Sequence, residues 1–152
     1  MRTLFEPPTD PAAYAFGHRL RARFAETDAM GVVHHAAYLP WMEEARVEWL
    51  RVLGHPYDEL RREGLDFPVV EVALRYRRPF HFDDLVDLHL VLGTARGASF
   101  QIGYLLACEG EPRATAVTLH GVVAGGRPTR APGWLRTLSP GRSSSEAGAG
   151  SA

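Results

Sequence analysis

The stretch "YLPWMEEARVEWLRVLG" (residues 38–54) decides the fold. Tyr38, Trp41, Met42, Ala45, Trp49, Val52 and Leu53 recur at helical spacing, the pattern of a helix with one buried stripe. Glu43, Glu44, Arg46, Glu48 and Arg51 lie mostly off that stripe. Gly54 stands where a helix closes on a left-handed residue. Pro40 fits only near a helix start, because it has no N–H to give, which sets the first turn around 36–39. A stripe carrying two tryptophans predicts a central helix buried against a sheet.

The flanks supply that sheet. "HRLRARF" (18–24) alternates, with His18, Leu20, Ala22 and Phe24 facing one way and three arginines the other, which reads as a strand with one wet face. "YDELRREG" (57–64) is a short polar helix. Four strand-like runs follow, near 69–78, 85–95, 98–108 and 113–124, with turns at hairpin spacing. Strand, long helix, then four consecutive strands predict an α+β domain, one curved antiparallel sheet around one dominant helix. The outer face and edges of such a sheet need cover, and dimerisation is the simplest. The folded part is expected over 17–137, after a Pro- and Ala-rich arm (1–16). A Gly/Ser/Ala-rich tail (138–152) reads as disordered.

Composition excludes several classes. The chain has 152 residues, the length of one domain, with a net charge of −1. No global field recruits nucleic acid or membrane. All 17 basic residues are arginine. The single cysteine, Cys108, allows no internal disulfide, and its apolar run "YLLACEG" reads as core. With no signal core and no long apolar run, a cytoplasmic location is expected.

Between the first strand and the helix lies "ETDAMGVVHHAAY" (26–38). By itself Asp28 reads as the cap of a turn or helix. Asp28, His34 and His35 are metal-ligand types, but adjacent histidines rarely converge on one ion, so no metal and no cofactor is expected. The longer pattern "ETDAMGVVHHAAYLPWMEEAR" (26–46), with "RYRRPFHFDDLVDLHL" and "RGASFQI" downstream, resembles the hotdog-fold acyl-CoA thioesterases of the 4-hydroxybenzoyl-CoA thioesterase type, including the YbgC-like branch. Those proteins carry D-x-D-x-x-G-[VI]-V-x-x-x-x-Y ahead of a helix with E-x-x-R. The resemblance covers most of 17–132.

The resemblance implies a hotdog domain hydrolysing acyl-CoA, with Asp28 as the catalytic carboxylate and the amide near His35 polarising the thioester carbonyl. The chemistry is consistent with that. Hydrolysis needs a nucleophile or a base on water, and donors where the oxyanion forms. A helix N-terminus offers unpaired amides and a positive dipole, and Gly31 lets the backbone fold tightly ahead of it. Glu26, at the family's first acidic position, reads as a loop-stabilising group. His34 stands where the family commonly has tyrosine, beside the oxyanion loop. Phe24 is a second departure, replacing a tyrosine found in several relatives. Glu43 and Glu44 are runner-up acids, since another hotdog lineage sets its carboxylate on the helix; a surface pair of Glu43 with Arg46 is the plainer reading. The resemblance also implies Arg96 and Ser99 as contacts for coenzyme A phosphates, with Arg127 and Arg130 as weaker candidates. Arg75, Arg77 and Arg78 read as a solvated strand edge.

Three rivals remain. A hotdog hydratase places histidine five residues after aspartate, whereas His34 and His35 lie six and seven on. A thioesterase for acyl-carrier proteins shares the chemistry, and a non-catalytic acyl-CoA-binding module shares the fold. A homo-oligomer, a dimer or a tetramer of dimers, is expected, with the pocket between protomers.

Overall fold

The computed structural model describes residues 5–138, so the tail expected to be disordered lies, from Ser139 on, outside the described residues. A five-stranded sheet wraps one long helix. Strand β1 (Phe16–Arg21) leads through a loop to helix α1 (Tyr38–Val52) and a short helix α2 (Tyr57–Arg62). Then come β2 (Leu65–Asp66), β3 (Val69–Tyr76), β4 (Leu85–Arg96), β5 (Ser99–Cys108), β6 (Glu111–Gly121), β7 (Val123–Ala124), β8 (Arg127–Pro128) and α3 (Gly133–Arg136). The sheet order is β1-β4-β5-β6-β3, antiparallel at every step. This is the curved antiparallel sheet around one helix that the order of elements predicts, and the hotdog arrangement that the resemblance implies.

The core lies between α1 and the concave face. Tyr38, Trp41, Met42, Ala45, Trp49 and Leu50 are buried on the helix. They meet Val86, Leu88, Leu90, Phe100, Ile102 and Leu106 from the central strands. Each large apolar side chain so buried contributes roughly 1.5–3 kcal/mol. Gly54 ends the helix at φ +86°, as its position predicts. Two expectations for this stripe and the first strand are corrected. Val52 is 61% exposed; where α2 folds back, the buried face turns toward Leu50. Phe24 is 76% exposed, because β1 ends at Arg21 and the chain enters a 3-10 turn at Phe24–Glu26. Its ring meets Phe82 edge-on, with centroids 5.6 Å apart. The alternation otherwise holds: His18 and Leu20 are half-buried and Ala22 buried, while Arg19, Arg21 and Arg23 are exposed.

The convex face has its own cover. Val91, Leu105, Ala107 and Val117 are buried outside the main core cluster. The N-terminal segment crosses this face. A Cβ on Gly103 would overlap the Phe5 ring, so glycine there makes room for the phenyl group. Tyr14 donates to the Pro8 carbonyl (2.7 Å) and packs beside His89. The edge is different. β3 pairs with β6 on one side only. Its Val69, Val70, Val72 and Tyr76 are 40–60% exposed, an apolar edge of the kind that invites pairing. The small sheet β2-β7-β8 and α3 have no counterpart in the sequence reading, since two-residue strands carry no periodicity.

Candidate active site

The loop after β1 folds into a hairpin. Asp28 N donates to Val32 O (2.9 Å), His34 N to Glu26 O (2.7 Å), and Val33 N to Phe80 O (2.8 Å). Gly31 closes the tip at φ +79°, its amide donating to Asp28 O (3.0 Å). The left-handed backbone there is what glycine supplies without strain. Residues 26–28 therefore run antiparallel to 32–34, and the helix start follows immediately.

Asp28 caps this turn and not the helix. Its Oδ1 accepts from Met30 N (2.8 Å) and, at longer range, from Val32 N (3.4 Å). Its Oδ2 accepts from nothing among the described residues. The helix cap is His34, whose Nδ1 accepts from Ala36 N (3.1 Å). That bond fixes the proton of a neutral His34 on Nε2. A 3-10 turn, His35–Ala37, runs straight into α1. As its first residue, His35 has an amide with no acceptor among the described residues, one of the orphan donors that give a helix start its positive character. The His34 and His35 rings stack at 4.2 Å.

Glu26 ties the loop to the helix. Its Oε2 accepts from Trp41 Nε1 (2.8 Å) and its Oε1 from Arg23 N (2.8 Å). Desolvation raises its pKa, but the hydrogen bonds from Arg23 and Trp41 outweigh it and hold the carboxyl below its usual value. Among the described residues no three His, Cys, Asp or Glu side chains gather as a metal site. Cys108 is buried, and desolvation pushes its thiol pKa up.

Of the cavities along the helix, two lie at the ends of β3. One, about 280 Å³, is lined by Val33, His35, Tyr38, Tyr76, Arg77 and Arg78, at the Tyr76 end of β3. Arg77 and Arg78 are exposed at the end of the edge strand, as the sequence reading has them, and they also rim this cavity. Only the fold, which brings the end of β3 beside the helix start, could reveal that. The other, about 270 Å³, lies at the Val69 end, walled by Leu50, Phe67, Phe100 and Ile102, with Glu43 and Arg46 beside them. The expected Glu43–Arg46 surface pair does not form. Arg46 turns inward and donates to Tyr104 Oη (3.1 Å). Glu44 pairs with His18 (2.6 Å).

Arg96 and Ser99 flank the β4–β5 turn, with Ser99 Oγ donating to Arg96 O (3.1 Å). The Arg130–Ala131 segment runs beside it, Ala131 N donating to Gly97 O (3.0 Å). β4 begins beside Arg21 and ends at Arg96. The loop with Asp28 and the turn with Arg96 and Ser99 thus stand at opposite ends of the sheet, and one chain does not bring them together. No helix among the described residues is long and apolar enough to cross a membrane.

Comparison with known proteins bears on the family and the fold. A family model described as the thioesterase-like superfamily matches residues 22–137. A 1,4-dihydroxy-2-naphthoyl-CoA hydrolase of Picosynechococcus is 33% identical over 113 residues, 70% of this chain and 77% of that protein. The acyl-CoA thioester hydrolase YbgC of Escherichia coli is 34% identical over 80 residues, 53% of this chain and 60% of that one. The crystal structure of a hypothetical protein from Aquifex aeolicus superposes with a TM-score of 0.77 at 36% identity, covering 82% of this chain and 99% of that one.

Proposed function

The chain belongs to the thioesterase-like superfamily, and from that premise we propose that it hydrolyses acyl-CoA thioesters with Asp28 as the catalytic carboxylate and the His35 amide as oxyanion donor. The observation that carries this is the hairpin. It holds a carboxylate with one oxygen unbonded, among the described residues, on the loop beside a helix start whose first amide likewise has no acceptor among them. Asp28 attacks the thioester carbonyl carbon, breaking the C–S bond with coenzyme A leaving as thiolate and giving an anhydride that water hydrolyses, or it takes a proton from the water that displaces the thiolate. Charge developing on the carbonyl oxygen is met by the His35 amide and the helix dipole. Gly31 keeps the loop tight, and the His34 cap fixes the first turn. In one hydrolysis turnover in ¹⁸O-water, label in the Asp28 carboxylate marks direct attack followed by water opening the anhydride at the aspartyl carbon.

The site is completed by a second copy. Antiparallel two-fold pairing of the bare β3 edges would cover Val70 and Val72. It would set the Tyr76 end of one protomer against the Val69 end of the other. The partner's Arg96 and Ser99, which share the Val69 end through β5 and β6, then approach the His35 cavity, with donors suited to coenzyme A phosphates. Of the arm expected over 1–16, the described residues ahead of β1 (5–15) pack on the outer face of the domain through Phe5 and Tyr14. The test is release of free thiol from a panel of short, long and aryl acyl-CoAs. Turnover on at least one is expected; none on any would overturn the reading.

A further inference from the structure

A line of polar side chains crosses the core between the sheet and α1, and the hydrolytic chemistry does not use it. Arg46 Nη1 donates to Tyr104 Oη at 3.1 Å. Tyr104 Oη lies 2.9 Å from Thr118 Oγ1, and Thr118 Oγ1 lies 2.8 Å from His120 Nε2. His120 Nδ1 lies 3.1 Å from the Phe67 carbonyl. Tyr104, Thr118 and His120 are all buried.

The direction of every bond in this line is determined. A carbonyl only accepts, so His120 Nδ1 carries the proton and Nε2 accepts. Thr118 must then donate to Nε2 and accept from Tyr104. Tyr104 donates to Thr118 and accepts from Arg46. Each group is satisfied, and every acceptor along the line points toward the guanidinium. Such a chain polarises cooperatively in the low-dielectric interior. Three apolar residues would fill the same volume without the need to satisfy these groups. The line anchors one cation, and an arginine has five N–H donors. Arg46 uses one; the rest donate to nothing among the described residues. It lines the 270 Å³ cleft beside Leu50, Phe67, Phe100 and Ile102.

We infer that Arg46, held by Tyr104, Thr118 and His120, is a specificity-determining residue that selects acyl groups ending in a hydroxyl. This rests on the thioesterase reading and its two-fold pairing, in which the cleft of one copy abuts the His35 cavity of the other. At ~30 Å³ per water-sized atom, the cleft has room for about nine non-hydrogen atoms. Its walls are mostly apolar, and its polar side chains are the donor-only Arg46, the Glu43 carboxylate and the Tyr57 phenol. A terminal hydroxyl serves the first two, accepting from Arg46 and donating to Glu43. A terminal carboxylate would meet Glu43 with like charge, and a methyl group would leave the guanidinium desolvated without a partner.

The test compares octanoyl-CoA with 7-hydroxyheptanoyl-CoA, which differ by a methyl against a hydroxyl at equal length. Wild type is expected to favour the hydroxyacyl substrate in kcat/KM by at least about tenfold. Arg46→Met should remove or invert that ratio, and Arg46→Lys should restore part of it. Thr118→Val, which cuts the line without touching the cleft, should lower the ratio with circular dichroism unchanged. A ratio near one in wild type, or an unchanged ratio in Arg46→Met, overturns the assignment while acetyl-CoA hydrolysis leaves the thioesterase reading standing. Failure to hydrolyse these three and every aryl acyl-CoA of the panel overturns both.

Discussion

His120 should make the stability of this protein depend on pH, with a size and sign set by the core. Its Nδ1 donates to Phe67 O and its Nε2 accepts from Thr118, so no site is left for a second proton. Desolvation, reinforced by the Arg46 charge, drives its pKa from 6.5 down to about 4. The unfolded chain takes up that proton near 6.5. Above 6.5 both states are neutral at this residue, and its contribution to stability is complete. Between 6.5 and 4 the unfolded chain binds a proton that the folded chain refuses, so stability falls as pH falls. The gap of about 2.5 pH units, at ~1.36 kcal/mol each, is worth about 3 kcal/mol. Below pH 4 this residue adds no further loss. The assay is urea unfolding from pH 7.5 to 4.5 on wild type and on His120→Gln, whose amide keeps one donor and one acceptor but does not titrate. The other six histidines are common to both proteins, so the difference isolates His120. The wild-type curve should be steeper between pH 4.5 and 6 by up to ~1.36 kcal/mol per unit. Parallel curves would refute the account of a neutral histidine locked in the core.

Two further outcomes follow from the backbone. Gly31→Ala adds a Cβ that meets nothing within 4 Å, so only the φ of +79° is penalised; thermal unfolding should show a loss of about 1 kcal/mol, and kcat should fall as the turn relaxes. Val70→Lys puts a charge on the bare β3 edge. Sedimentation should then show a monomer, with hydrolysis lost, whereas an unchanged assembly would argue against pairing through β3.

Much of this was legible in the residues because it is periodic. The 38–53 stripe encodes the central helix, and the four spaced apolar runs encode the hairpin order of the sheet. The departures fall where tertiary contacts override period. Phe24 turns outward because the strand stops three residues earlier, and Leu50 takes burial from Val52 where α2 packs. For the candidate site, Asp28, Gly31 and the two histidines could be singled out from one motif, and Asp28 could be read as a turn or helix cap, but the helix cap at His34 could not. Asp28 caps a turn, and His34, not Asp28, caps the helix. The inward turn of Arg46 was hidden because its partners are 58 or more residues away along the chain. Separation along the chain likewise hid the place of Arg77 and Arg78 beside His35.

The most direct measurement is acyl-CoA hydrolysis by Asp28→Asn. Asparagine keeps an Oδ1 that accepts from Met30 N and Val32 N, so the turn and helix start should survive, as circular dichroism would verify. It has neither a nucleophilic carboxylate oxygen nor a base. Release of free coenzyme A should fall by ~10²–10⁴-fold. Wild-type turnover by a folded Asp28→Asn protein would contradict the assignment of Asp28 as the catalytic carboxylate.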